Sequence, residues 1–256
     1  MSHLDLSPAP GAAAPARRLL TQTAMELRLT LRNGEQLLLT FVIPVLLLVA
    51  GSRSDRLVGG DRPIDTVAPG VLGLAILSTS FTSLAIATAF ERRYGVLKRL
   101  GATPLSRSGL LGGKVLAVVL LQLGQFVVLG ALAVALGWRP GGGATAWLWL
   151  VVLAVLATVA FGGLGLLMAG TLRAEATLAL ANLVYVLLLV GGGVLLPLDR
   201  YPSAVESALT ALPSGALGEG LRQAFVTGSP GTVEVAVLAV WAVVSAGAAG
   251  RWFRWE

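Results

Sequence analysis

The residues best suited to chemistry sit together in one polar stretch, Glu91–Lys114, which reads ERRYGVLKRLGATPLSRSGLLGGK. It sets Arg92, Arg93, Lys98, Arg99, Arg107 and Lys114 against the single acid Glu91. Several cations on a short, firmly tethered segment suit noncovalent docking of a soluble partner, through steering and charge complementarity. They do not suit nucleotide chemistry. Gly109–Lys114 lacks the G-x-x-x-x-G-K-[ST] spacing, with no strand before it and no Ser or Thr directly after it. Hydrolytic and metal chemistry are no better served elsewhere. The chain has no Cys, and its one His is His3, in a Pro/Ala-rich tail. That argues against thiolate sites, His-type zinc sites and Ser-His-Asp hydrolysis. The other polar candidates, Gln122, Gln125 and Asn182, lie within long apolar runs. Each either lines a pathway or hydrogen-bonds across helices, and the structural role is the default for all three.

The elements that must position these residues are membrane spans. The 256 residues are 55% hydrophobic and 12% charged, about half the charge of a soluble domain, and mean hydropathy is +0.82. A bilayer core of about 30 Å takes about 20 apolar residues in a helix. The runs at about 67–90, 110–136, 146–170, 177–197 and 232–250 meet that length, and a shorter run at about 36–51 contains Pro44. Pro44 is tolerable if a neighbouring helix satisfies the carbonyl it frees. With six spans and both termini inside, 13 of the 19 basic residues but only 6 of the 13 acidic ones fall on the inner side. This asymmetry fits a cytoplasmic N- and C-terminus. Omitting the first span would put four N-terminal Arg on the wrong side. Trp138, Trp147 and Trp149 mark one boundary, and Trp252 and Trp255 another. The basic excess is thereby explained by topology, and without a basic stripe interleaved with aromatics nucleic-acid binding is not expected.

Between the spans the chain is organised as follows. Residues 1–16 read as a disordered cytoplasmic tail, and 17–256 as one transmembrane domain. Arg17–Arg32 reads as an interfacial amphipathic helix: Leu20, Ala24, Leu27 and Leu31 form a stripe with Arg17, Arg28 and Arg32 to one side. The loop 51–66, with Arg53, Asp55, Arg56, Asp61, Arg62 and Asp65, reads as a solvated outer turn. Glu91–Leu100 is expected to be one short helix with Tyr94, Leu97 and Leu100 toward one side; Gly101 ends it, Thr103-Pro104 turns the chain, and Ser106 starts the next helix. On the outer side, Ser203–Leu212 and Ser214–Phe225, bounded by Pro202 and Pro213, read as two short helices with Ser N-caps. Gly162, Gly163, Gly165 and Gly191–Gly193 permit close helix approach or bending.

The Glu91–Lys114 connection resembles the ABC-2 type permeases, the membrane subunits of ATP-binding-cassette exporters, including the daunorubicin/doxorubicin-resistance type. The resemblance is carried by Glu91, Arg92, Gly95, Leu97, Lys98, Leu100, Thr103, Pro104 and Ser106, and by Gly113-Lys114. Pro202, Pro213, Glu219 and Arg222 are similar to the family's closing element. Lys98 departs from a position that is often acidic there. The resemblance implies an all-α subunit of six spans with an N-terminal interfacial helix, in the plasma membrane. It implies a coupling helix that docks on an ATPase, spanning Glu91, Arg92, Arg93, Tyr94, Gly95, Leu97, Lys98, Arg99, Leu100, Thr103 and Pro104. It implies an external gate around Pro202, Pro213, Glu219 and Arg222. The expected partners are two copies of an ABC ATPase, a second permease copy or paralogue, and lipid. This chain would bind no cofactor, with ATP and Mg on the partner ATPase.

The expected function is therefore outward transport of a hydrophobic or amphiphilic substrate, driven by ATP hydrolysed elsewhere. A secondary transporter without an ATPase and a non-transporting assembly subunit are the rival readings. An intramembrane enzyme is the least expected, since no pair of acids or metal cluster converges within the spans.

Overall fold

The computed structural model describes residue 11 and residues 13–53 and 62–254, and all its regular elements there are helical. The expected tail through residue 10, the turn residues Asp55, Arg56 and Asp61, and Trp255 lie outside the described residues. The chain begins with α1 (Pro15–Arg32), for which Pro15 supplies a preset φ at the first turn. It continues into α2 (Gly34–Ser52). Then come α3 (Pro63–Leu77), a π-helical segment (Ser78–Ser83) and α4 (Leu84–Arg93), which together form one continuous helix. The short α5 (Val96–Gly101) precedes α6 (Arg107–Ala135), α7 (Gly143–Thr171) and α8 (Ala174–Gly191). A 3₁₀ turn (Leu198–Arg200), α9 (Ser203–Thr210), α10 (Pro213–Thr227) and α11 (Thr232–Trp252) complete it.

Among the described residues, five helices are long and apolar enough to cross a membrane: Pro63–Arg93, Ser108–Ala135, Gly143–Thr171, Ala174–Gly191 and Thr232–Trp252. The run at 36–51 falls on α2, where Thr40–Ser52 is a shorter apolar helix. Its Pro44 cannot donate to the carbonyl of Thr40, four residues back. Gln125 of α6 donates to that carbonyl instead, at 3.2 Å.

The core is built on α3 and α7, the two spans most buried within the bundle. Glycines set the closest crossings. A Cβ on Gly163 would meet Ser245 Oγ of α11 at 2.5 Å, and one on Gly165 would meet Phe81 O at 2.9 Å. In the π segment, Thr79 Oγ1 donates to Ala75 O at 2.7 Å and Ser80 Oγ to Ile76 O at 2.5 Å. Hydroxyls that bond back to the previous turn compete with the helical ladder and loosen it, which fits a widened turn here.

Three expectations need correction. The span read at 177–197 stops at Gly191; residues 192–197 leave the helix, with Gly193 at φ 73°. Gly191–Gly193 cost too much chain entropy to extend a helix, and Arg222 supplies a better place for the freed carbonyls, described below. The single helix expected over Glu91–Leu100 is two pieces: Glu91–Arg93 finish α4, and Gly95 at φ 68° starts α5 on a new axis. The Ser N-caps expected on the outer helices are not used. Pro202 and Leu212 occupy those positions without a side-chain bond, because Pro at or next to the cap already fixes the turn. Ser106 does cap α6, accepting from Gly109 N at 3.1 Å.

Candidate functional site

α4, α6, α8 and α11 bring four groups of polar residues to one end of the bundle, the basic end. The centre is Lys114, at the start of α6 and 2% exposed. Its Nζ lies 2.9 Å from Glu26 Oε1 of α1 and 2.6 Å from Glu91 Oε2 of α4. Gln22 Nε2 donates to Glu26 Oε1 at 2.7 Å. A buried lysine is tolerable only with such partners, since desolvating an unpaired cation is costly. Gly113 makes room for the joint: a Cβ there would meet Gln22 Cγ at 2.6 Å.

This joint sets the face on which α1 packs. Gln22 and Thr23 are buried and Glu26 is half-buried against α6, while Leu20 is 60% and Leu31 52% exposed. Of the expected stripe only Leu27 is half-buried; Ala24 is exposed, as are Arg17, Arg28 and Arg32. The polar flank faces protein because Lys114 lies behind it. The leucines Leu20, Leu29 and Leu31 are left exposed, away from the bundle.

The eleven residues expected to face a partner divide into two groups. Glu91, Arg92 and Arg93 turn toward the bundle. Arg92 donates to the carbonyls of Gly170 and Leu172 where α7 ends, and Arg93 pairs with Glu175 at the start of α8. Orphan carbonyls at a helix C-terminus need such donors. Leu97 is 2% exposed and anchors α5. Tyr94 is 63% exposed, with its ring stacked on Phe90, so it does not share a buried side with Leu97. Leu100 is half-buried. Lys98, Arg99, Gly101, Thr103 and Pro104 are exposed. Arg99 Nη2 donates to Tyr94 O at 3.0 Å and Thr103 Oγ1 to Leu100 O at 2.6 Å, which fixes both ends of α5. Arg18 of α1 donates to Pro104 O. The free surface of this element is thus Tyr94, Lys98 and the turn after it.

At the opposite end, Arg222 of α10 is the organising group. It donates to Gly193 O at 2.8 Å, Val194 O at 2.9 Å and Leu196 O at 3.4 Å, and its Nε lies 3.2 Å from Glu219 Oε2. Burial lowers its pKa and the Glu219 carboxylate opposes that; a guanidinium stays charged under such shifts. The stretch it holds is wedged between glycines: a Cβ on Gly70 would lie 2.7 Å from Val194 O, and one on Gly218 2.5 Å from Gly193 O. Pro213 is buried at the start of α10, and Pro202 is exposed before α9. Trp138, Trp147 and Phe225 pack edge to face at this end.

The three polar residues within the spans have different surroundings. Gln122 is 2% exposed; it accepts from Thr158 Oγ1 at 3.0 Å and donates to Thr79 Oγ1 at 3.1 Å. Gln125 is fully buried against α2. Both cross-link helices. Asn182 is exposed on α8 and lines a cleft of about 390 Å³ with Thr40, Ser78, Thr82 and Tyr185. The hydroxyls of the π segment and Glu26 went unnoticed in the sequence. The STSFTS run (78–83) is a sequence signal for the first; nothing local marks the second, which owes its role to a lysine on another helix.

A family model described as "ABC-2 type transporter" matches residues 17–226. A search of curated proteins found no match.

Proposed function

The chain belongs to the ABC-2 type transporter family, and on that premise we propose that it is the permease subunit of an exporter of the drug-resistance type. It has six spans, α2 included, with both termini in the cytoplasm of a plasma-membrane protein. A separate ATPase, present in two copies, binds ATP and Mg and docks on the exposed face of α5. The cargo is hydrophobic or amphiphilic and crosses beside α8, against a second permease subunit, identical or paralogous.

The observation that carries this reading is the fastening of α5. The helix presents Lys98 outward, and Tyr94 stands exposed just before it. Immediately upstream, Glu91, Arg92 and Arg93 bind α6, the end of α7 and the start of α8, and Lys114 of α6 carries the connection on to Glu26 of α1. A partner that moves α5 therefore moves several helices together, which is what a two-state gate needs from its engine. Asn182 supports the second subunit, since an amide on an apolar face in lipid is expensive unless a partner or a polar cleft meets it. Sparse intramembrane charge supports an uncharged or amphiphilic cargo. The basic excess on the side of α5 supports the orientation. The helices around Arg222 would serve as the external closure.

Reversing one exposed charge, K98E, tests the reading. In inverted vesicles holding the assembled transporter, ATP-dependent uptake should fall about tenfold or more, with the melting temperature unchanged. Wild-type transport by this variant, or transport driven by an ion gradient without any cassette ATPase, would reject it.

A further inference from the structure

A second cluster at the basic end has no part in the docking face. It is a cleft of about 410 Å³ lined by Ala89, Arg92, Arg93, Arg173, Ala174 and Glu175. It opens where α4 and α7 end and α8 begins, the termini of three candidate spans. A cleft at span termini lies at the depth of lipid headgroups. Arg254 is drawn to it from the end of α11: its backbone N–H donates to Gly170 O at 3.3 Å, the carbonyl that also accepts from Arg92. Phe253 closes on Gly170, where a Cβ would lie 2.6 Å from its ring.

Among the described residues the charges here do not balance. Three guanidiniums, those of Arg92, Arg93 and Arg173, line the cleft with one carboxylate, Glu175, and Arg254 stands beside them. Arg92 is committed to the carbonyls of α7 and Arg93 shares Glu175. The guanidiniums of Arg173 and Arg254 are exposed and have no hydrogen-bond or ion-pair partner among the described residues. Arg92 and Arg254 are close enough for their like charges to interact. Like charges held together, at headgroup depth, in a cleft between span ends call for an anion. Guanidinium forks match the paired oxygens of a phosphodiester. The α8 N-terminus, which starts at Ala174 in the same cleft, adds backbone donors of the same sense.

We propose that this cleft binds the phosphate headgroup of an anionic phospholipid, held by Arg173 and Arg254 with Arg93 at its edge. The site is independent of the transport reading and of which way the chain is oriented. A bound headgroup there would tie α4, the α7–α8 turn and the end of α11 together.

Native mass spectrometry of the full chain in detergent tests the proposal, with phosphatidylglycerol or phosphatidylcholine of matched acyl chains as the probe. Phosphatidylglycerol should bind at least about tenfold more tightly. The double variant R173Q/R254Q, which leaves the Arg92 bonds in place, should lose about tenfold or more of that affinity. The variant R17Q/R28Q removes the same charge from α1 and should keep it. Equal affinity for the two lipids, or an equal loss in R17Q/R28Q, would overturn the proposal. So would displacement of the lipid by stoichiometric glycerol 1-phosphate, which would mark a soluble-phosphate site. Full lipid affinity in R173Q/R254Q with loss of ATP-driven transport would give these arginines to a protein partner instead.

Discussion

The two ends of the bundle are held together in different ways. At the basic end, long side chains reach across gaps: Lys114 to Glu26 and Glu91, Arg92 to the end of α7, Arg93 to Glu175. At the opposite end, backbone lies against backbone, with Gly70 and Gly218 on either side of residues 193–194 and one arginine closing the carbonyls. A long side chain can follow its partner through a shift of an ångström or two, whereas a glycine contact has no slack. The difference teaches that the side-chain joints of the basic end tolerate small shifts, whereas the backbone contacts around residues 193–194 at the opposite end fix one arrangement.

The sharpest way to break this contrast is at Arg222. R222L leaves three carbonyls without their donor in a buried site and Glu219 without its cation, and should cost about 3 kcal/mol or more. A detergent melt should show a larger drop in melting temperature for R222L than for a change at Lys114 or Arg93. Next comes K114M, which leaves Glu26 and Glu91 close together and unpaired; about 2 kcal/mol is expected. Its mark should be local, with faster hydrogen exchange in α1 and at the end of α4 and little change in α10. If K114M loosens α10 as much as α1, the two ends are not separate units. The smallest effect belongs to R93Q. The Arg93–Glu175 pair has side chains 49% and 61% exposed, so its removal should shift stability by no more than about 0.5 kcal/mol. A larger loss would mean that the basic end is more rigid than its surface pairs imply.

The sequence was most legible where one physical rule acts alone. Apolar length located the five long helices, and the basic Glu91–Lys114 stretch stood out because charge is scarce elsewhere. Ser106 was readable as a cap because its partner lies three residues ahead. Legibility failed where the deciding partner is distant. Glu91–Arg93 continue the helical pattern toward Leu100, yet their bonds to α6, α8 and the end of α7 and the left-handed Gly95 divide that run in two. The apolar stretch to Pro197 reads as one span. Only the pocket made by Gly70, Gly218 and Arg222 shows why its last residues leave the helix. The apolar stripe of α1 is plain in the sequence, but which flank faces protein depends on Lys114.

The bond from Gln125 to Thr40 O has a consequence for how this chain can drift in evolution. Pro44 and Gln125 form a matched pair, the glutamine reaching back across an interval of 85 residues to the carbonyl that the proline frees. Losing the glutamine alone strands a carbonyl in an oily interior, whereas losing the proline alone only adds a backbone donor to an oxygen that can accept two. Lineages that keep Pro44 should therefore keep Gln125, while Gln125 can outlast the proline, and a census of natural variants tests that one-way dependence without any measurement on the protein itself.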